Sequence, residues 1–156
     1  MITEETLISD IQPPIEGLSL ETRHRVIMLI KDAEKDNFLV VKESFDGEER
    51  IVFPGGGIEE WESIEETAKR EVQEETGYYS FLSCTTLDYI LKFYRRHEDH
   101  NRLNINHLVV CEVSKNHKKS GEFESFWVKK EDVASVVETN FGKAVWEYYI
   151  THQING

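Results

Sequence analysis

Residues 70–77 read Arg-Glu-Val-Gln-Glu-Glu-Thr-Gly, and this stretch decides how the rest of the sequence is interpreted. On a helix its carboxylates Glu71, Glu74 and Glu75, spaced i, i+3 and i+4, fall within about 100° of one another. Gly77 is a typical residue for the end of a helix. The three carboxylates therefore crowd the negative end of the helix dipole, where each is unfavourable by about 0.3–1 kcal/mol. A hard divalent cation such as Mg²⁺, which prefers oxygen ligands, would stabilise such a cluster.

A helical wheel indicates which way these carboxylates point. We predict a helix from about Glu62 to Thr76, with Ile64, Ala68 and Val72 on its core face. The three carboxylates overlap this inward side, whereas Arg70 points elsewhere and cannot neutralise all three. A run of Glu is usually a solvated helix face, but here other residues fill the outward positions. Inward carboxylates must be paired, protonated or bound to a metal ion.

The composition is that of a globular and strongly acidic chain. Its 156 residues predict one domain, 1–156, with a net charge of -12. This charge disfavours binding to a nucleic-acid polymer, although a metal ion could still attract a small anionic substrate. No apolar run approaches the roughly 20 residues of a membrane span, and the acidic N-terminus does not resemble a signal peptide. We therefore expect a cytoplasmic protein, in which Cys84 and Cys111 are buried free thiols rather than a disulfide or a metal pair.

Strand-like segments dominate the rest of the sequence. We predict strands at 24–31, 38–42, 51–53, 103–113 and 123–128, and helical segments at 130–137 and 141–152. Residues 78–95 are β-rich and are predicted to form either two strands or one bent strand. Residues 1–20, with the breaker Pro13-Pro14, are predicted to form an extended arm or a short edge strand. Polar turns or loops are predicted at 32–37, 45–50 and 97–102, and a charged hairpin at 115–121. This pattern indicates an α/β protein of the α+β type, with a mixed sheet packed by helices.

A run of three glycines, Gly55-Gly56-Gly57, lies between a strand and the central helix. Glycine lets the backbone bend sharply and approach a ligand closely, but no Gly-Lys-Ser/Thr follows, as a P-loop would require. Gly56, Glu62 and residues 70–78 follow the spacing G-x5-E-x7-R-E-U-x-E-E-x-G-U, where U is a bulky apolar residue. This pattern closely resembles the signature box of the Nudix hydrolases. Tyr78 is its one departure, since an aliphatic residue is more usual there.

The resemblance implies an α/β/α sandwich that hydrolyses a nucleoside diphosphate linked to another group, with the help of a metal ion. It implies that Glu71, Glu74 and Glu75 ligate this ion, Mg²⁺ or alternatively Mn²⁺, with the Gly55 carbonyl as a further ligand. One of Glu74 and Glu75, or a carboxylate from a loop, would act as general base. Arg70 would orient the carboxylates by hydrogen bonds.

Further residues are assigned supporting roles by the same resemblance. Gly56, Glu62 and Gly77 would fix the geometry of the loop and the helix. Glu122 and Glu124, which come just before Trp127, are candidates for an additional metal ligand or base. The alternative for both is that they are exposed hairpin charges.

Residues outside the box carry the prediction about the substrate. Arg95, Arg96 and Arg102 form a basic island suited to phosphate contacts, with solvated loop charges as the alternative. Tyr94 lies near the position of a Tyr in family members that act on dinucleoside polyphosphates, or it simply packs in a strand. Members that act on ADP-sugars often carry a Pro in this region, which this chain lacks. A nucleotide base could stack on an aromatic side chain, the candidates being Phe93, Tyr94 and Trp61.

We therefore predict a nucleotide-type substrate with a pyrophosphate bond: a nucleoside triphosphate, an oxidised nucleotide or a dinucleoside polyphosphate. The alternative is a catalytically weak member of the family that serves as a ligand-sensing or protein-binding module. Such members typically lose box carboxylates, whereas this chain keeps them. RNA-cap removal is disfavoured because no extended basic surface is visible in the sequence. A homodimer is a candidate assembly, since family members are often dimers.

Overall fold

The computed structural model describes residues 3–8, 12–45 and 47–152, which form eight strands and three α-helices. In chain order these are β1 (Glu4–Ile8), β2 (Ser19–Asp32), β3 (Asn37–Phe45), β4 (Glu48–Val52), β5 (Gly55–Gly57), α1 (Ile64–Thr76), β6 (Phe81–Arg96), β7 (His100–Val113), β8 (Glu124–Lys129), α2 (Val133–Val136) and α3 (Asn140–His152). A single 3-10 turn, Lys130–Asp132, precedes α2. None of the helices in these ranges is long and apolar enough to cross a membrane.

The strands form one mixed sheet in the order β1-β6-β7-β2-β3-β4, with β5 paired to β2 and β8 paired to β3. Strands β2 and β7 lie at the centre and pair in parallel along their whole length, from Ser19↔His100 to Asp32↔Val113. Strand β1 lies at the edge and pairs in parallel with β6. The other pairings are antiparallel. The predicted mixed sheet is thus confirmed.

Helices cover both faces of this sheet. On one face, Val26, Met28 and Ile30 of β2 pack with Ala68 and Val72 of α1. On the other face, the alternate β2 residues, which are Ile27 and Leu29, belong to the cluster that contains side chains of α2 and α3. Because successive strand residues point to opposite faces, a β2 segment that is apolar on both faces serves both helix layers. The predicted α/β/α sandwich is confirmed.

Two central strands start earlier than the polar sequence suggested. Strand β2 begins at Ser19 rather than His24, and β7 begins at His100, inside the predicted loop 97–102. The two extensions pair with each other, so each supplies the backbone partners of the other. Similarly, β4 begins at Glu48, inside the predicted turn 45–50, because residues 48–52 pair with β3. Pattern-based prediction misses such polar extensions because they bury little apolar surface.

The two cysteines, predicted to be isolated buried thiols, are neighbours in the sheet. They are free, as predicted, but Cys84 of β6 is directly opposite Cys111 of β7 and the two sulfur atoms are 2.9 Å apart. Cys111 is buried and Cys84 only half-buried. The strand register, which the sequence pattern does not fix, accounts for this pairing.

Candidate metal and catalytic site

The ends of α1 fix the position of its last two turns. Ser63 caps the helix start and exchanges hydrogen bonds with Glu66 in a capping box. At the other end Gly77 adopts φ 85°, and its amide donates to the Gln73 carbonyl. A Cβ at this position would collide with the Lys119 carbonyl oxygen, so only glycine fits.

The chain after the helix folds back onto this end. The Glu122 amide donates to the Glu74 carbonyl (2.8 Å) and the Phe123 amide donates to the Glu75 carbonyl (3.0 Å). These bonds satisfy two helix carbonyls that would otherwise have no partner. They also place Glu122 beside the carboxylate cluster. The predicted hairpin 115–121 is therefore a loop that closes the end of the helix.

The glycine run is the short strand β5, antiparallel to β2. The Met28 amide donates to the Pro54 carbonyl (2.9 Å) and the Ile58 amide donates to the His24 carbonyl (3.0 Å). Because hydrogen-bonded positions alternate along an antiparallel strand, Gly55 and Gly57 point their backbone groups away from β2. The Gly55 amide accordingly bonds Glu75, and the Gly57 carbonyl accepts a bond from Arg70 (3.0 Å).

The absence of a side chain at Gly56 makes room for a carboxylate. A Cβ there would overlap the Glu71 carboxyl group. The glycine therefore permits close approach of a side chain of the protein itself, in addition to any approach by a ligand.

Arg70 connects the glycine loop to the carboxylates. Its guanidinium donates to Glu62 through Nε (2.6 Å) and Nη2 (2.8 Å), and through Nη1 to Glu71 (2.7 Å) and Glu74 (3.3 Å). The prediction that Arg70 points away from the cluster is thus wrong, because its long side chain turns back along the helix. Among the described residues, the ion pairs of Arg70 are with Glu62, Glu71 and Glu74, so Glu75 stays outside this network.

The hydrogen bonds of Arg70 determine the protonation state of Glu62. They hold the pKa of Glu62 down to about 2, and the same bonds raise the pKa of Arg70. The Glu62 side chain is only 8% exposed. The pair is therefore an ionised salt bridge that ties the segment before α1 to the middle of the helix.

Burial differs among the three box carboxylates. Glu75 is buried, with 8% exposure, and Glu71 is half-buried, as the wheel predicted. The Glu74 side chain is 56% exposed, so the prediction of an inward position is wrong for this residue. Its place on the wheel, about 60° away from Glu71, brings it to the edge of the buried face.

Glu75 is the most perturbed acid of the cluster. Burial, followed by the negative charges of Glu71, Glu43 and Glu122, raises its pKa to about 9. Burial also raises the pKa of Glu71, against the opposing hydrogen bond from Arg70. The Oε2 atom of Glu75 is buried without a hydrogen-bond partner. A buried carboxyl with a partnerless oxygen among like charges is the arrangement that a cation would stabilise.

Two charged residues near Glu75 were not predicted from the sequence. Arg25 of β2 interacts electrostatically with Glu71, Glu75 and Glu43, and burial lowers its pKa. Glu43 of β3 pairs with Arg50 at 3.1 Å. Both residues lie in strands far from the box in sequence. The alternation of side chains between the two faces of a strand is the one sequence signal that could have indicated which face of the sheet each of them occupies.

The remaining residues predicted from the sequence lie either beside the carboxylate cluster or elsewhere on the surface. Glu122 is exposed but close enough to raise the pKa of Glu75, whereas Glu124 is exposed on β8 and pairs with Lys42 at 3.8 Å. Arg95 and Arg96 line a groove beside the site together with Phe93. Tyr94, the other predicted substrate contact, is not among the residues that line this groove. Trp61 is 80% exposed.

Tyr78, the departure from the usual box, is accommodated by a specific partner. It is buried, and its hydroxyl accepts a hydrogen bond from Trp127 Nε1 at 2.9 Å. The two rings pack edge to face, with centroids 5.5 Å apart. The larger side chain is therefore a packing feature on the α1 face of the sheet and lies in the core cluster with Val72.

The candidate metal ligands are all oxygen atoms, which suits a divalent cation, but the carboxylates do not surround a common point. Within residues 3–8, 12–45 and 47–152, no three His, Cys, Asp or Glu side chains stand in an arrangement that could hold a metal ion. One reason is that one carboxylate oxygen of Glu71 and one of Glu74 each accept a hydrogen bond from Arg70. The all-oxygen donors and the partnerless Oε2 of Glu75 nevertheless match the ligand preference of Mg²⁺.

A comparison with protein families shows the class to which this fold and carboxylate site belong. The family model described as NUDIX domain matches residues 21–149, and the chain belongs to the Nudix family. It is a hydrolase that acts on phosphorus anhydrides.

A curated relative gives a more particular comparison. Nucleoside triphosphatase NudI from Klebsiella pneumoniae subsp. pneumoniae is 34% identical over 124 residues, covering 71% of this chain and 86% of that protein. Solved structures support the fold. The MutT structure described for Aliivibrio salmonicida and Vibrio cholerae has a TM-score of 0.64 at 19% identity, covering 84% of this chain and 98% of that chain. A Nudix hydrolase from Nitrosomonas europaea has a TM-score of 0.62 at 20% identity, covering 84% and 90%.

The Arg70 network is expected to contribute strongly to stability. Replacing Arg70 by Met should lower the free energy of unfolding by about 3 kcal/mol, because it leaves the buried carboxylate of Glu62 without its partner. Urea denaturation at pH 7 measures this. Lys69→Met, an exposed neighbour on the same helix, is the matched control and should change the free energy by less than about 0.5 kcal/mol. Equal stability of the two variants would show that the network does not hold the loop to the helix.

Proposed function

We propose that the protein hydrolyses a pyrophosphate bond in a nucleoside triphosphate or a related nucleoside diphosphate derivative, with Mg²⁺ as its metal ion. The observation that carries this proposal is the buried Glu75 carboxyl, whose Oε2 has no partner and whose neighbours are further carboxylates. The relative named nucleoside triphosphatase favours triphosphates as the substrate class. Oxidised nucleotides and dinucleoside polyphosphates remain in the proposed class because they contain the same bond.

In this proposal Glu71, Glu74, Glu75 and the Gly55 carbonyl hold the metal ion, with Mn²⁺ as an alternative to Mg²⁺. The Gly55 carbonyl suits this role because its backbone points away from β2 and its amide already contacts Glu75. A bound divalent ion would neutralise phosphate oxygens and lower the pKa of a bound water.

The protein groups themselves orient the site and move the proton. Arg70 holds Glu71 and Glu74, while Glu62 holds Arg70 against the Gly57 carbonyl. Glu75 is the favoured general base, with Glu74 as the alternative, because it is buried beside the site and one of its oxygens is available. A nearby cation would favour its ionised form and so prepare it to accept a proton. Glu122 is the nearest additional carboxylate on a loop.

A substrate panel tests the proposal. Purified protein with Mg²⁺ is incubated with nucleoside triphosphates, oxidised nucleotides, dinucleoside polyphosphates, ADP-sugars and coenzyme A, and phosphate and pyrophosphate are quantified. We expect turnover of triphosphates or dinucleoside polyphosphates at least about tenfold faster than turnover of ADP-sugars, a difference of about 1.4 kcal/mol in the barrier.

The controls separate enzymatic from incidental hydrolysis. Chelation by EDTA should abolish the activity and added Mg²⁺ should restore it. Hydrolysis that persists in EDTA would contradict the metal dependence. No turnover anywhere on the panel would instead favour a ligand-sensing or protein-binding module built on the same fold.

A further inference from the structure

A groove beside the carboxylate site collects most of the arginines of the chain. It has a volume of about 430 Å³, and five of the seven arginines in the sequence line it: Arg25, Arg50, Arg95, Arg96 and Arg102. Among the described residues that line it, Glu43 is the one carboxylate. This concentration of positive charge occurs on a chain with a net charge of -12. We call it the arginine groove.

The strand register forces two of these arginines together. Arg95 of β6 is directly opposite Arg102 of β7. Directly opposed residues on antiparallel strands have Cβ atoms about 4.5–5.5 Å apart, and like charges in such a pair are destabilising. An ion pair of Arg102 with Glu21 at 3.2 Å offsets part of this repulsion. An anion bound between the two guanidinium groups would offset it further.

The arginine groove is held in shape by its surroundings. Arg96 donates from Nε to the Pro13 carbonyl (3.0 Å) and from its amide to Gln12 Oε1 (2.9 Å), which places the segment before β2 at one end. Arg50 is fixed by Glu43 at 3.1 Å. The guanidinium groups are therefore positioned by the fold, and this reduces the entropy lost when they bind a ligand.

The groove is continuous with the carboxylate site. An adjoining cavity shares Arg25, Glu43 and Arg50 with it and extends to Gly55, the residue whose amide contacts Glu75. Arg25 interacts electrostatically with both Glu71 and Glu75, so it stands at the junction of the two regions. A ligand whose pyrophosphate lies at the carboxylates would reach the arginine groove at its other end.

The groove also offers contacts for the part of a nucleotide that lies between phosphates. The rings of Phe93 and Phe141 stack at 5.3 Å and line the adjoining cavity. Asn104 lines the groove with 5% exposure, and its Oδ1 is buried without a hydrogen-bond partner. Such an acceptor suits a sugar hydroxyl or a base amino group better than inorganic phosphate.

We propose that the arginine groove binds a second phosphate of the substrate, separated from the pyrophosphate bond that is cleaved by at least a sugar or a longer phosphate chain. The inference rests on the proposed function, because it assumes that the cleaved bond lies at Glu71 and Glu75. Two kinds of nucleotide have this chemistry: one with a phosphate on the ribose, and one with a polyphosphate chain that continues to a second nucleoside.

Ligand pairs matched in phosphate content test the proposal without hydrolysis. Calorimetric titrations of the full chain in EDTA compare adenosine 3′,5′-bisphosphate with ADP, and diadenosine tetraphosphate with adenosine 5′-tetraphosphate. We expect the first member of at least one pair to bind about tenfold more tightly than the second, which is the effect of one additional charge-assisted contact. The pair that shows the preference identifies the kind of nucleotide.

Variants of the groove show whether the arginines cause this preference. Arg96→Gln and Arg102→Gln should each remove most of it, whereas Lys35→Gln, which removes an exposed charge in the turn between β2 and β3, should preserve it. Thermal unfolding of each variant verifies the fold, and Arg96 is exposed enough to be replaced safely.

Equal affinities within both pairs would overturn the proposal, as would a preference that survives in both arginine variants. If the ligand preference is present in the titrations but no compound of the substrate panel is hydrolysed, the proposed function is contradicted and the assignment of the groove stands. Turnover of triphosphates together with equal affinities in both pairs would support the proposed function and remove the assignment of the groove.

Discussion

Replacement of Glu75 by Gln is expected to lower kcat by about 10³-fold or more while the fold survives, since loss of a general base alone costs 10²–10⁴-fold. Gln keeps the size of Glu but cannot accept a proton or neutralise a cation. The folded structure should tolerate it well, because a pKa of about 9 means that Glu75 is already protonated at neutral pH in the metal-free protein. Steady-state kinetics on the best substrate of the panel, with circular dichroism for the fold, measure both parts.

Two further variants sharpen the interpretation. Glu74→Gln should also lower kcat, because Glu74 belongs to the same proposed ligand set although it is exposed. Glu147→Gln is the matched control, since Glu147 is exposed on α3 on the opposite side of the sheet from α1, and it should keep normal turnover. Wild-type turnover by folded Glu74→Gln and Glu75→Gln would refute the assignment of the carboxylate site.

The stability of the metal-free protein is expected to fall as pH rises from about 5 to about 9. The pKa of Glu75 is raised in the folded state, so the native protein holds this proton more tightly than the unfolded chain does. The resulting stabilisation is complete below the unfolded pKa of about 4.3 and is lost as pH rises through the folded value. For this one group the slope is at most about 1.4 kcal/mol per pH unit. Glu71, whose pKa is also raised, acts in the same direction.

Thermal unfolding in EDTA at several pH values measures this effect. The difference between wild type and Glu75→Gln isolates the contribution of Glu75 from that of other titrating groups. Glu62 acts in the opposite sense, because its pKa is held near 2, but its contribution is lost only under more acidic conditions. Millimolar Mg²⁺ should raise Tm, and more at pH 9 than at pH 6, since the cation needs the ionised carboxylate. A pH profile that is identical for both proteins would show that Glu75 does not titrate in this range.

The local parts of the candidate site could be predicted from the sequence. The spacing of Glu71, Glu74 and Glu75 and the glycine at position 77 indicated the helix, because both depend on the chain within a few residues. The α1 boundaries, Ile64–Thr76, are close to those expected. The same wheel failed for Arg70 and for the exposure of Glu74, because side-chain length and the edge of a buried face are not encoded in angular position.

The remaining parts depend on contacts between distant segments. Arg25 and Glu43 approach Glu75 only because β2, β3 and α1 pack together, and their local sequence carries no sign of this. The arginine groove needs the register that sets Arg95 opposite Arg102. A one-residue shift of register would have placed these side chains on another face. No local pattern in the sequence determines such a register.

The parallel pairing of β2 with β7 has a consequence for synthesis of the chain on the ribosome. Each residue of β2 pairs with one that lies 81 positions later, from Ser19↔His100 onward. At about 5–20 residues per second, the β7 side of β2 therefore waits roughly 4–16 s for its partner to emerge. During this time the segment Val26–Ile30, which is apolar on both faces, has an unpaired edge that other nascent chains could join. The β7-facing edge of β2 is therefore open to mispairing until residues 100–113 have emerged.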